Sequence, residues 1–424
     1  MSSLLIKNGR IIDPANQTDE IRDLLIIDGK IAMPGQKPDG QTESIDALGK
    51  IVCPGLIDIH VHFREPGQSS KETIETGSKS AAAGGFTSVV CMPNTSPVAD
   101  SPSVIRWIQE QAREKAIVNV YTTGAITKQI AGEEMAPIGS LKKAGVVAIT
   151  DDGHCVQNNE LMRRASEYAK MFDLPIMDHC QDYHLVGNGV MNEGQWSVRW
   201  GLPGWPALGE EMIVARNILL SEKIDHYIHC QHLSASGSVR LMREARKRGV
   251  KISGEVCPHH ITLTDEAIGS FDTNYKMNPP LRSQQDIDDL LAGIADGTIT
   301  ILASDHAPHC GFEKEVEFDQ APFGIVGLET ELSLFMKALV EAKVISINRM
   351  IEMLTVEPAK LIHLDKGHLS PGADGDVTII DPDLQWTVDK TQFASKGRNT
   401  PYHGWELTGR AIYTIVAGKI VWRN

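Results

Sequence analysis

Histidines and aspartates recur along this chain beside short apolar runs, and the first two are spaced to share a metal ion. In Asp58-Ile59-His60-Val61-His62-Phe63-Arg64 a single residue separates the imidazoles. Side chains on a strand alternate with period two, so His60 and His62 point to one face. Imidazole is the commonest divalent-metal ligand, and such a pair supplies two of the three or four protein ligands a catalytic zinc needs. Two partly buried strand histidines without a ligand would carry the same spacing. Recurrence decides between the readings, because Asp151-Asp152, His179, His232 and Asp305 each close a later apolar run. Singly, each is explained as a capping aspartate or a histidine bonded to a carbonyl. Jointly they point to a metal site.

Eight strand-like runs position these residues: 54–63, 86–94, 117–126, 146–153, 175–182, 226–234, 251–260 and 299–309. Helical periodicity fills most of the intervals, as in 71–83, 101–116, 159–172 and 236–248. Parallel strands need helical crossovers, so eight such units predict a (β/α)8 TIM-type barrel with the polar residues on its C-terminal rim. A doubly wound open sheet is the alternative, weakened because no glycine-rich phosphate turn follows the first strand. The stretch 183–225, with Trp196, Trp200 and Trp205, reads as an ordered loop over the barrel mouth. Together with 311–322 it is a candidate to close over substrate.

The flanks have another texture. Leu4–Lys7 leads to Asn8-Gly9 and Leu24–Ile27 to Asp28-Gly29, both hairpin signals. Near the other end, Val377–Ile380 and Ala411–Val416 are followed by Ala417-Gly418 and Ile420–Trp422. Segments 1–53 and 366–424 together predict a small β-sandwich module beside a catalytic domain spanning 54–365.

The chain of 424 residues carries a net charge of −14, with 42% hydrophobic and 23% charged residues. That balance excludes nucleic acid and anionic membrane as expected partners. No apolar leader or membrane span is legible. Seven cysteines without a C-x-x-C motif suit the reducing cytoplasm.

The rim pattern resembles the amidohydrolase superfamily. Within it, five segments resemble the dihydroorotases: 54–67 (PGLIDIHVHFREPG), 91–95 (CMPNT), 276–282 (KMNPPLR), 303–309 (ASDHAPH) and 321–324 (APFG). The resemblance spans the whole chain. It implies a two-zinc centre held by His60, His62, Asp152, His179 and His232, with Asp305 touching it as acid/base. It also implies that His62, Arg64, Asn94, Asn278 and His309 hold the substrate, with main-chain contacts at Phe323 and Gly324. Many superfamily members bridge their metals with a carboxylated lysine on strand 4. Here that strand reads Val146-Val-Ala-Ile-Thr-Asp-Asp-Gly153, without lysine, which resembles the bacterial dihydroorotases that use an aspartate. The motif favours Asp152, whereas strand alternation alone leaves Asp151 and Asp152 open.

The expected activity is reversible cyclisation of N-carbamoyl-L-aspartate to dihydroorotate in pyrimidine biosynthesis. Arg64 is placed to fork a substrate carboxylate, unless it pairs with Glu65 or Glu72. Asn94 and Asn278, beside prolines or a turn, could instead form Asx-turns. His259-His260 ends the seventh run, with at most one ring inward and neither a ligand. His154, His306, His363, His368 and His403 read as structural. Two alternatives stand beside this one. A hydantoinase or allantoinase on the same barrel would generally carry the strand 4 lysine and lack the Arg/Asn clamp. A silent scaffold for aspartate carbamoyltransferase would have lost metal-binding histidines, whereas here all are present. A homodimer, and association with that carbamoyltransferase, are expectations from the resemblance.

Overall fold

The computed structural model describes residues 3–38 and 42–424. Eight parallel strands stand in sequential order: β1 (Leu56–Val61), β2 (Phe86–Cys91), β3 (Asn119–Gly124), β4 (Ala148–Ile149), β5 (Ile176–Asp178), β6 (Ile228–Cys230), β7 (Ile252–Val256) and β8 (Ile301–Leu302). Past the end of β8 the barrel closes onto β1. A parallel bridge joins Val61 to His306, and the His62 amide donates to the His306 carbonyl at 2.9 Å. Ser304 Oγ donates to the Asp58 carboxylate at the same seam.

Side chains from five strands (Ile57, Ile59, Val90, Ala148, Met177 and Ile301) meet in one apolar cluster with Met92 and Ala303 just past strand ends and, from the region of the helix Val356–Leu361, Ala359, Leu361 and Ile362. Residues on non-adjacent strands meet this way inside a barrel, so the interior is packed and leaves the rim free for chemistry. The helices cover the outside. Ile74–Gly84, for example, starts on a reciprocal Thr73–Thr76 capping box and stops where Gly85 turns left-handed at φ 95°.

One crossover departs from the sequence expectation. The stretch 183–225 is not a single loop, since its second half is the helix Leu208–Ile224, which packs on the barrel. Its buried face mixes Ile213, Val214 and Ile218 with Glu210, Asn217 and Ser221, while Leu208, Met212 and Leu219 are exposed, so the usual separation of apolar and polar faces is blurred. The first half holds a two-stranded ribbon, Met191–Asn192 with Gly204–Trp205. Arg282 pins it, donating from Nη1 to Asn192 Oδ1 at 2.9 Å and to the Trp205 carbonyl at 2.8 Å.

The two flanks interleave in one eight-stranded sheet. Val377–Thr387 pairs with Ile51–Pro54 and with Glu406–Val416, and Ile51–Pro54 also pairs with Ser3–Asp13. Hydrogen bonding therefore runs through a single sheet over an apolar core that includes Leu4, Ile6, Ile26, Val52, Val377 and Ile415. Asn8-Gly9 is not the expected turn. The strand Ser3–Asp13 continues through it with a register shift and Asn8 at φ 58°, as a bulge does. Asp28-Gly29 does turn the chain, at φ 49° and 79°. Gly55 joins this sheet to β1, where a Cβ would lie 2.0 Å from Thr87 Oγ1.

Candidate active site

The C-terminal ends of the strands bring six predicted side chains together. His60 lies on β1, His62 just past it, and Asp152, His179, His232 and Asp305 one to three residues beyond β4, β5, β6 and β8. All are buried. Asp152 is at the centre. Its Oδ1 lies 3.2 Å from His60 Nε2, 3.6 Å from His179 Nδ1 and 3.7 Å from His232 Nε2, and its Oδ2 lies 3.4 Å from His62 Nε2. Asp305 Oδ1 stands 3.1 Å from His62 Nε2 and 3.5 Å from His60 Nε2. Among the described residues, His60 Nε2 and Asp152 Oδ1 are buried without a hydrogen-bond partner. Lone pairs converging in a buried pocket are costly unless a cation sits among them. The triads His60–His62–Asp305 and His60–Asp152–His232 each keep their ligand atoms within 4.8 Å of one another, as a metal ion requires. The donor set fits a metal.

Asp151 has another task. Its carboxylate accepts from the Ile126 amide at 2.7 Å, the Thr127 amide at 2.9 Å and the Thr127 hydroxyl, and so ties β4 to the chain after β3. Alternation left the pair open because both aspartates lie beyond the two-residue strand Ala148–Ile149, where period two no longer applies.

Glu255, on β7, is the main residue that the sequence reading missed. It is fully buried and receives His60 Nδ1 at 2.6 Å on Oε1 and His229 Nε2 at 3.0 Å on Oε2. Burial favours its protonated form, but His60 and His229 prevail and hold its pKa down to about 2. With a carboxylate at Nδ1, His60 keeps its proton there and offers the Nε2 lone pair to the site. The available signal was a carboxylate inside a strand, where burial demands a partner. Gln181 was missed too. It accepts from Asn278 Nδ2 at 3.1 Å and lies 2.9 Å from His179 Nε2.

Above the cluster opens a cavity of about 260 Å³. His62, Arg64, Asn94, Asp152, His179, His232, Asn278, Asp305, His309, Phe323 and Gly324 line it, and so does His154, which was expected to be structural. Arg64 reaches it from a left-handed backbone (φ 60°), and His232 and Asp305 also have positive φ, at 30° and 49°. Such conformations persist where surrounding structure enforces them and concentrate at functional sites. Neither Glu65 nor Glu72 takes the Arg64 guanidinium. Glu65 accepts from Ser69 and the Ile74 amide and Glu72 from Ser395 and Thr76, while Arg64 Nε donates to the Pro308 carbonyl at 3.2 Å. Asn94 Oδ1 meets His62 Nδ1 at 2.9 Å, which leaves its amide nitrogen beside Gly153. The Asn278 side-chain oxygen is buried without a hydrogen-bond partner among the described residues. His309 Nε2 is held by the Phe323 carbonyl at 2.8 Å. Burial and then Arg64 push its pKa down to about 2, so the ring is neutral.

His259 and His260 are not on β7. They sit on the helical turn Pro258–Thr262 that follows it, with both rings buried, and His260 Nε2 donates to the Pro279 carbonyl at 3.0 Å.

A parallel barrel with histidines and aspartates on its rim defines the class, and the chain is an amidohydrolase by fold and site. Residues 226–422 match the family described as "Amidohydrolase family", and residues 49–238 match "Dihydro-orotase-like". Among solved structures, the chain resembles L-hydantoinase (dihydropyrimidinase) from Arthrobacter aurescens, with a TM-score of 0.89 at 25% identity, covering 100% of this chain and 96% of that one. Sequence relatives narrow the class. A dihydroorotase of Citrifermentans bemidjiense is 52% identical over 99% of this chain and 100% of its own length. A dihydroorotase of Pelotomaculum thermopropionicum is 52% identical over 99% of both chains. The chain belongs to the dihydroorotase family.

Proposed function

We propose that the protein interconverts N-carbamoyl-L-aspartate and dihydroorotate, in the cytoplasm, as a step of pyrimidine biosynthesis, with two zinc ions at its site. The observation that carries this reading is the guanidinium of Arg64 in the cavity wall, without a carboxylate partner among the described residues, beside the His/Asp cluster. Dihydroorotate and carbamoyl aspartate bring a carboxylate to such a fork, whereas hydantoin and allantoin rings do not. Relatives at about half identity over full length support it. The seven unpaired cysteines support a reducing compartment.

His60, His62, Asp152, His179 and His232 would hold the metals. Bound there, they would contribute an activated water near neutral pH and Lewis acidity toward the amide carbonyl. Asp305 moves the proton. In ring opening its carboxylate accepts the proton lost by the attacking water and passes it to the departing amide nitrogen. In ring closure it takes the proton from that nitrogen as water leaves. His60, with help from His62, outweighs burial and keeps Asp305 well below the usual carboxylate range, so the group starts the cycle ionised. Arg64, Asn94 and Asn278 bind and orient the substrate, His309 keeps the Phe323 main chain in place, and the packed barrel interior excludes bulk water from below.

The hydantoinase likeness of the fold makes a cyclic-amide hydrolase without carboxylate selectivity the second reading. Metal analysis joined to assays on dihydroorotate, hydantoin and allantoin separates the two. Repeating the dihydroorotate assay with aspartate carbamoyltransferase tests the scaffold reading. Preference for hydantoin would overturn the proposal.

A further inference from the structure

The ammonium of Lys314 is buried in the wall beside the cavity, and among the described residues every hydrogen bond it makes goes to a main-chain carbonyl. The acceptors are Thr273 at 3.1 Å, Lys276 at 3.3 Å and Pro322 at 2.7 Å. They belong to two separate stretches of chain. Thr273 and Lys276 precede Asn278, and Pro322 precedes Phe323-Gly324, both of which line the cavity. The stretches are stitched again around this point. Thr273 Oγ1 donates to the Lys314 carbonyl, the Gly324 amide donates to the Lys276 carbonyl at 3.0 Å, and Lys276 Nζ donates to the Asp319 carbonyl at 2.9 Å. A buried charge is costly, and an apolar side chain of similar length would pack here without that cost. What only the ammonium supplies is three donors in three directions.

We propose that Lys314 is a positioning residue for substrate recognition, whose ammonium locks the segment 311–322 to the segment 273–278 and so sets the Phe323-Gly324 main chain and Asn278 at the cavity edge. This rests on the dihydroorotase reading only for the identity of the substrate. The charged and titratable groups facing Lys314 are Lys276 from the 273–278 segment, Asp272 just before it, and Glu313 and His309 from its own stretch. Burial, reinforced by Lys276, brings the Lys314 pKa down to about 7. As pH rises through that value the ammonium loses a proton, two donors remain for three carbonyls, and the lock slackens.

The test is hydrogen–deuterium exchange on the full-length, metal-loaded protein, reading amides 311–324 between about pH 6 and about pH 9 after correction for intrinsic rates. Wild-type protection in that segment should fall across the interval by about tenfold, while protection of the barrel strands should not. Lys314→Met should exchange there at the high-pH rate throughout. The variant should keep its metal content and raise KM for dihydroorotate by about tenfold or more, with a much smaller change in kcat. Should Lys314→Met fold poorly, Lys314→Gln, which keeps two donors, takes its place, with exchange and KM expected between those of the wild type and Lys314→Met. Exchange in 311–324 and KM both unmoved in the variant would overturn the lock, and flat wild-type protection across the interval would overturn its pH dependence. Wild-type protein inactive on dihydroorotate would overturn the functional reading instead, and leave the exchange result standing.

Discussion

His60 Nδ1 and Glu255 Oε1 lie 2.6 Å apart, and His229 Nε2 binds the other oxygen of the same carboxylate at 3.0 Å. Glu255→Gln replaces one acceptor with an NH2 group and forces one imidazole to change tautomer. If His60 yields, its proton moves to Nε2 and blocks the lone pair directed at Asp152. Metal affinity should fall by about 10–100-fold, the usual effect of an altered partner to a ligating histidine. Chelator competition measures this, with thermal melting of the metal-free protein as the folding control. Unchanged affinity would reduce the contact to packing.

Asp151 and Asp152 should respond differently to alanine. Asp152→Ala should lose at least one metal by elemental analysis. Asp151→Ala should keep its metal and lose stability, because the Ile126 and Thr127 amides lose their buried acceptor. Because no lysine lines the cavity among the described residues, reconstitution should be indifferent to added bicarbonate. The reverse ranking of the two variants would transfer the ligand role to Asp151.

Arg64→Lys retains the charge and loses the fork. A charge-assisted hydrogen bond is worth roughly 1.5–3 kcal/mol, so losing one should lower kcat/KM for dihydroorotate by about tenfold or more. Dihydrouracil, which lacks the carboxylate, should be much less affected. Equal losses on both substrates would make Arg64 structural.

Asp305→Asn preserves shape and gives up the proton. Activity should drop by about two orders of magnitude or more while metal content stays near that of the wild type. In the wild type, ring opening starts from a water that must lose its proton, whereas ring closure takes up one proton overall to release the carboxylate oxygen as water. The two directions should therefore show opposite pH dependence. Metal lost in step with activity would make Asp305 a ligand and assign the proton elsewhere.

The barrel and its rim were legible because both follow from local rules. Short apolar strands alternate with capped helices, and the histidines and aspartates end those strands. What escaped the sequence was set by tertiary contacts. The helix Leu208–Ile224 hid because Glu210 faces inward, accepting from the Ser234 and Ala235 amides at 3.1 Å each, while Leu219 faces out. Asn8-Gly9 carries a hairpin signal, yet the long pairing with Thr18–Ile27 absorbs it as a bulge. His154 is separated from Asp152 only by Gly153, whose φ of 81° turns the chain at the cavity edge. Nothing in spacing reveals that turn.

The interleaved sheet has a consequence for how the chain is made. Ile51–Pro54 lies between Ser3–Asp13 and Val377–Thr387, so one of its edges waits for a strand that leaves the ribosome more than three hundred residues later. Throughout synthesis of the barrel, that edge is an unpaired template open to other nascent chains. Chains stalled before Val377 should therefore associate through Ile51–Pro54, and a proline placed at Val52 should suppress the association, as read by sedimentation of ribosome-bound chains. Stalled chains that stay monodisperse would show that the barrel shields the edge before its partner arrives.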